Sequence, residues 1–226
     1  MKKILILFLF LFFGFSANAI TLNLSIDKKE AEMLARVGYN LLNSNRIPHK
    51  ITFMVRNRNV PNAAAFYSDN LIIVNDALIK AMDSDDELAG VVAHEISHAI
   101  DYRKGIFKGF FTYVSTALNG KKYEYMADKR SVDYLVKAGY NPLAIIIALN
   151  KIAPQERFDW CSSHPLTTRR MSVIYEYIYT KYPEYLVNNK YINDPIYQNF
   201  LIVSRENRQK LEEKINKKSR RSVNYL

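Results

Sequence analysis

Hydrophobic and polar positions along the first third of the chain predict one helix followed by a small sheet. Residues 27–46 carry apolar side chains at helical spacing, and Asp27 stands where a helix cap is expected. Residues 51–56 alternate with a period of two, which is typical of a half-buried strand. Two more apolar runs, 63–67 and 71–74, are separated by Ser-Asp-Asn, and Asp and Asn tolerate the positive φ of tight turns. These two runs predict a β-hairpin.

The rest of the chain predicts helices. Ser84 and Glu87 have the spacing of a capping box at the start of a helix. Gly139 is the residue type expected just after a helix end, and Asn141 followed by Pro142 is typical of the next helix start. The predicted helices are 76–82, 85–102, 121–138, one from 142, 167–181 and 195–217. The pattern therefore predicts a mostly helical α+β domain with a sheet of about three strands.

The N-terminal residues have the pattern of an export signal. Lys2 and Lys3 precede an apolar run at 4–15, and an Ala-x-Ala cleavage site ends at Ala19. The run is shorter than the ~20 residues that a membrane-spanning helix needs. We therefore expect residues 1–19 to be a signal peptide cleaved after Ala19 and the mature protein to be periplasmic. An uncleaved membrane anchor is the alternative.

Composition excludes several classes of protein. The 226 residues are 49% hydrophobic and 24% charged, with 7 Gly and 7 Pro, so collagen-like and disordered chains are excluded. Cys161 is the single cysteine and cannot form an intrachain disulfide. We expect residues 20–190 to form one domain and residues 191–226 to form a basic helical extension.

The net charge of the chain limits which binding partners are expected. The formal net charge is +10, and the tail from Arg205 to Leu226 carries 8 basic and 3 acidic residues. Such a tail favours peripheral contact with an anionic membrane, although a solvated helix end is the alternative. No nucleic-acid-binding motif is present, so nucleic acid is not an expected partner.

The segment 105–118 is apolar, and the sequence leaves three alternatives for it: a lid over a cleft, a shallow membrane contact or part of the core.

A metal-binding pattern lies in the predicted helix at 85–102. His94 and His98 are one turn apart on one face, a spacing at which two imidazoles can bind a single zinc ion. Glu95 is angled to reach a water molecule on that ion. The alternative is a helix with two ordinary histidines.

A catalytic zinc needs a third protein ligand and an open position for water. Glu124 is the best candidate, because it lies on a separate predicted helix with Asp128 four residues later on the same face. Asp128 would then fix the tautomer of a ligand histidine. A solvated glutamate is the alternative for Glu124 taken alone.

These motifs resemble those of metallopeptidase family forty-eight, which includes HtpX-type proteases, CAAX prenyl proteases and soluble periplasmic relatives. Residues 83–98 are similar to its active-site helix. The segments that resemble the family's other motifs, in the family's order, are Asn62-Ala63-Ala64-Ala65-Phe66, Glu124-Tyr125-Met126-Ala127-Asp128, Ala138-Gly139-Tyr140-Asn141-Pro142 and His164-Pro165 with Arg170. The matched stretch runs from about 50 to 180. Ser97 and Met126 depart from the family's usual residues without changing the ligand set.

The resemblance implies a zincin-like fold, with residues 20–190 as a zinc metallopeptidase domain, and a role for each matched residue. His94, His98 and Glu124 would hold one Zn²⁺, with Glu95 as the general base. Asp128 and Arg170 would support the ligands from behind. His164 would lie near the zinc, where it stabilises the developing oxyanion or restrains the resting site.

The remaining matches concern the substrate. Asn62, Ala63 and Ala65 would belong to an edge strand that binds an extended polypeptide by backbone hydrogen bonds. The expected function is an exported zinc metalloendopeptidase that acts on unfolded or misfolded envelope proteins. The alternative from another class is a latent or chaperone-like zinc protein in which His164, or less favourably Cys161, caps the metal. An aminopeptidase would need an acidic anchor for the substrate's amine, and the sequence offers none beside the active helix.

Overall fold

A computed structural model of the chain describes residues 28–48, 50–66, 70–103, 110–152 and 167–226. The predicted signal peptide and the side chains of His49, Cys161 and His164 lie outside these residues. So do residues 104–109 of the apolar segment, and the three alternatives for that segment stay open.

The described residues form nine helices and three strands. The strands are β1 (Thr52–Arg56), β2 (Ala63–Phe66) and β3 (Leu71–Asn75). The helices are α1 (Lys28–Ser44), α2 (Asp76–Ala81), α3 (Asp85–Arg103), α4 (Phe110–Lys137), α5 (Ala144–Ile152), α6 (Thr167–Lys181), α7 (Glu184–Val187), α8 (Pro195–Val203) and α9 (Arg205–Asn216). The prediction of a mostly helical α+β domain with a small sheet is confirmed.

The sheet has the order β1-β3-β2, with β3 parallel to β1 and antiparallel to β2. The hairpin of β2 and β3 is as predicted, and Asn70 in its turn has φ of 48°. Ile72 and Val74 of the central strand are completely buried. Among the described residues β2 pairs on one side only, so it is an edge strand, and it lies against α3.

Helix α3 is the central element of the fold, because it packs against α1, α4, α5 and the sheet. Its start is fixed by the predicted capping box, in which the Glu87 amide donates to Ser84 Oγ at 3.4 Å. Gly90 allows the backbones of α3 and α5 to approach, since a Cβ there would lie 3.0 Å from Ile145 Cα. Position 90 is one turn before His94, so α5 packs closely against α3 just before the predicted metal-binding histidines.

Two helix boundaries differ from the prediction. Helix α4 begins at Phe110 instead of residue 121, because Asn119 and Gly120 are accommodated within the helix, where a glycine costs only about 1 kcal/mol. Helix α5 begins at Ala144 instead of Pro142. Its first turn is bonded at i to i+3, with the Ala144 amide donating to the Asn141 carbonyl at 3.2 Å.

The C-terminal region also differs, because residues 195–217 form two helices instead of one. The chain leaves the helix at Ser204, which has φ of −92° and ψ of 7°. This break lets α8 pack on α5 while α9 packs on α6. Tyr197 and Phe200 of α8 lie in the same buried cluster as α3 and α5. The limits of the predicted domain (20–190) and extension (191–226) stay predictions.

Within the part of the chain that the structure describes, no helix is both long and apolar enough to cross a bilayer.

Candidate metal centre

The two histidines of α3 face one another and are largely shielded from solvent. Their rings are edge-to-face with centroids 4.6 Å apart, and the two Nε2 atoms lie 3.0 Å from each other. His94 is 8% exposed, and His98 is half-buried. The one-turn spacing in the sequence therefore brings two nitrogen donors to a single point.

Glu124 brings a carboxylate from α4 to these nitrogens. Its Oε2 lies 3.4 Å from His94 Nε2, and its Oε1 lies 3.2 Å from His98 Nε2. Ligand atoms bound to a tetrahedral zinc at bond lengths of about 2.1 Å lie about 3.4 Å apart. The three residues, whose ligand atoms are all within 4.8 Å of one another, thus fit one metal ion.

Asp128 supports His94 from the side away from this point. It is completely buried, and its Oδ1 lies 3.0 Å from His94 Nδ1. A hydrogen on Nδ1 donates to the carboxylate, so the Nε2 lone pair is free to face a metal. Because Glu124 and Asp128 are spaced i, i+4, both lie on one face of α4. Glu124 contacts the Nε2 side of the His94 imidazole, and Asp128 contacts its Nδ1 side.

Arg170 of α6 binds the other side of Asp128. Its Nε donates to Asp128 Oδ2 at 2.9 Å, and its Nη2 donates to Oδ1 at 2.6 Å. Burial disfavours the charged guanidinium, but the charge and hydrogen bonds of Asp128 outweigh it and keep the pKa of Arg170 above its ordinary value. The carboxylate of Asp128 is therefore held between one cation and one imidazole.

The pKa values of Asp128 and His94 follow from this arrangement. Burial alone would raise the pKa of the Asp128 carboxyl, but Arg170 and His94 hold it below its ordinary value. Burial and the charge of Arg170 lower the pKa of His94, yet hydrogen bonds to Asp128 and Glu124 outweigh them and raise it to about 9. Arg170, Asp128, His94 and Glu124 therefore form one buried network of charged and hydrogen-bonded groups.

The remaining predicted residues are placed as follows. Glu95 is half-buried on α3 next to His94, and it is among the carboxylates that raise the pKa of Arg170. Asn62 is exposed just before β2, while Ala63 and Ala65 are half-buried within β2. The structure brings this strand beside the helix of the metal-binding motif.

Comparison with known proteins agrees with this geometry. The family model described as peptidase family M48 matches residues 28–104 and 103–178, which together are well over half of the chain. The chain belongs to peptidase family M48. It is also similar to the beta-barrel assembly-enhancing protease of Yersinia pestis, at 24% identity over 172 aligned residues. The match covers 58% of this chain and 35% of that protein, so the chain corresponds to about a third of the relative's length.

This M48 domain contains one ion pair at the site that the sequence did not suggest. Arg130 of α4 donates to Asp101 Oδ1 at 2.7 Å and to the Ser97 carbonyl at 3.1 Å. Asp101 is 1% exposed, so the pair links α3 to α4 inside the protein, close to His98. The sequence shows only that Asp101 lies three residues after His98 and therefore on the same side of the helix. That spacing does not reveal Arg130 as its partner.

Proposed function

We propose that this chain is an exported, zinc-dependent metalloendopeptidase. The observation that carries the proposal is the convergence of the ligand atoms of His94, His98 and Glu124 at separations of 3.0–3.4 Å. Membership of peptidase family M48 supports a peptidase with a metal at this point.

Zinc is the proposed metal because of the donor set. Two imidazole nitrogens and one carboxylate are a ligand combination of catalytic zinc sites, which keep a further position for water. A structural zinc site would normally add a fourth cysteine or histidine. The hydrogen bond from His94 Nδ1 to Asp128 is also the usual support of a zinc-bound histidine.

The proposed mechanism assigns proton transfer to Glu95. Zinc, when bound, supplies the Lewis acidity that polarises a scissile carbonyl and lowers the pKa of a water molecule. The Glu95 carboxylate accepts the proton of the attacking water and then delivers it to the leaving amide nitrogen. Arg170 and Asp128 hold His94 in place during these transfers. His164, outside the described residues, is proposed to stabilise the oxyanion or to restrain the resting site, on the basis of the His-Pro-x-x-x-x-Arg resemblance alone.

The proposed substrates are polypeptides in extended conformation. Edge strand β2 has an unpaired side among the described residues and lies beside α3, so a substrate strand can bind its backbone groups. Such binding reads little side-chain sequence, which suits unfolded or misfolded chains. The name of the Yersinia pestis relative connects that protein with β-barrel assembly, and this supports an envelope location for the present chain.

The proposed location is the periplasm, with peripheral contact to an anionic membrane. Ile202, Val203 and Leu226 are 73%, 44% and 55% exposed and line one surface cavity together with the exposed Arg205. Apolar side chains next to cations are the combination that interfacial binding requires. The positive charges near these apolar side chains belong to the basic tail at 205–226.

The test compares the mature chain, residues 20–226, with Glu95→Gln for zinc content and for degradation of an unfolded model protein. Glu95→Gln should retain zinc and lose about 10²- to 10⁴-fold in rate, since only the general base is removed. Glu32→Gln, an exposed substitution of the same type on α1, should behave like the parent. Zinc in the parent without cleavage would favour the latent or chaperone-like alternative, and absence of zinc would contradict the metal site itself.

A further inference from the structure

The last residues of the chain fold back onto α9. The Leu226 amide donates to Asn207 Oδ1 at 2.8 Å, and Asn207 Nδ2 donates to the main-chain oxygen of Leu226 at 3.1 Å. Lys210 donates to the Asn224 carbonyl at 3.4 Å. Asn207 is 4% exposed, so its amide is a buried two-point receptor for the backbone of residue 226.

The same segment is bound to α6. Tyr225 is 5% exposed, and its hydroxyl donates to Glu176 Oε2 at 2.6 Å. Asn207 Nδ2 also donates to Ser172 Oγ at 2.9 Å. Residues 222–226, which we name the C-terminal strap, therefore contact α9 at Asn207 and α6 at Glu176, and Asn207 itself contacts α6 at Ser172.

Helix α6 connects the strap to the metal centre. Ser172 follows Arg170 by two residues, and both are at least nine-tenths buried. Arg170 binds Asp128, which in turn accepts the hydrogen bond of His94 Nδ1. Buried polar contacts, joined by about half a turn of the α6 backbone between Ser172 and Arg170, thus connect Leu226 with the proposed ligand His94.

The contacts of this path leave little freedom for α6. A buried polar group that loses its partner keeps its desolvation cost, so Asn207, Ser172 and Arg170 each favour the arrangement in which all are bonded. Removal of the strap would leave the Asn207 amide and the Glu176 carboxylate with fewer partners. The first turn of α6, which carries Arg170, would then be less firmly placed.

We propose that the C-terminal strap positions Arg170 through α6, with Asn207 as the positioning residue that receives it. The expected effect of the strap on zinc binding rests on the proposed metal site. The strap acts on the proposed ligands His94 and Glu124 only through Arg170, which contacts Asp128 and lies within 3.6 Å of both, and it touches no reacting atom.

The experiment uses the mature chain ending at residue 221, the same chain with the free peptide Ser222-Val223-Asn224-Tyr225-Leu226 added, and full-length Asn207→Ala. Asn216→Ala is the matched control, because Asn216 is an exposed asparagine on the same helix. Three quantities are measured: hydrogen exchange of the α6 amides, the NMR signals of the His94 imidazole in metal-free protein, and zinc affinity by competition with a chelator.

Loss of the strap should speed exchange in α6, shift the His94 signals and weaken zinc binding by about 2- to 30-fold, the size of coupling carried through packed networks. Added peptide should reverse all three changes, and Asn216→Ala should show none. Tyr225→Phe, which removes a single hydroxyl, should give smaller changes of the same sign and serves if the larger variants fold poorly.

Unchanged exchange in α6 after truncation would overturn docking of the strap. Faster exchange with unaltered His94 signals would overturn the positioning role. If the parent binds no zinc, the proposed function fails, whereas α6 exchange and the His94 signals of the metal-free protein still decide whether the strap positions Arg170.

Discussion

His94 Nδ1 lies 3.0 Å from Asp128 Oδ1, and this contact orients the imidazole whose Nε2 faces His98 and Glu124. Asp128 receives Arg170 on its other side, so the tautomer of His94 is fixed by a carboxylate that is itself held in place. The orientation of the proposed ligand His94 therefore depends on three helices, α3, α4 and α6.

Asp128→Asn should weaken zinc binding by about 10- to 100-fold, because an amide holds the Nδ1–H of His94 less strongly than a carboxylate. Chelator competition on the purified variant measures this. Asp133→Asn is the control, since Asp133 is also an α4 aspartate with several hydrogen bonds but lies outside the site. Equal zinc affinities for the two variants would contradict the role of Asp128.

The metal-free protein should lose stability as the pH rises from about 6.5 to 9. The pKa of His94 is raised in the folded state, so its contribution is complete below the unfolded value of 6.5 and disappears as the pH passes about 9. The full effect is about 3 kcal/mol at most. Urea unfolding of chelator-treated protein across this range measures it.

His94→Gln should flatten that pH dependence, since it removes the titrating group. For the parent protein with zinc bound, stability should instead rise with pH, because the metal binds the neutral imidazole and zinc binding therefore strengthens as the pH rises. A parent and a His94→Gln variant with the same pH profile would show that another group controls stability.

Arg130→Gln should lower the free energy of unfolding by about 3 kcal/mol, because it leaves Asp101 buried without its cation. Arg36→Gln is the matched control, as Arg36 also pairs with an aspartate of α3, Asp85, but does so at the surface. That variant should lose at most about 1 kcal/mol. Denaturant titration of both variants distinguishes a buried clamp between α3 and α4 from an ordinary ion pair.

Vesicles test the proposed membrane contact. The mature chain should sediment with vesicles of phosphatidylcholine and phosphatidylglycerol and not with phosphatidylcholine alone, and salt should weaken the binding. Ile202→Ser should reduce it by removing an exposed apolar side chain, and Arg205→Gln should reduce it about fivefold. Val60→Ser, an equally exposed apolar position far along the chain, should have no effect. Binding independent of lipid charge would contradict the proposal.

Much of the site was predictable because its signals are local. The pairing of His94 with His98 follows from the helical repeat, and the capping box at Ser84 and the turn at Asn70 depend only on neighbouring residues. Glu124 and Asp128 were also recognisable, since their i, i+4 spacing puts both on one helix face. The hydrophobic periods in turn predicted the α+β class.

Contacts between distant segments were decided only by the tertiary structure. Asp101 and Arg130 are 29 residues apart, and Asn207 and Ser172 are 35 apart. The break at Ser204 likewise depends on α8 and α9 packing against different helices. A sequence pattern records what each residue prefers locally, whereas the partner of a buried polar group is chosen by where the packed helices bring it. The sequence by itself therefore determined the fold class and the proposed ligand motif, and the packing of α3, α4, α6 and α9 determined how those side chains are held.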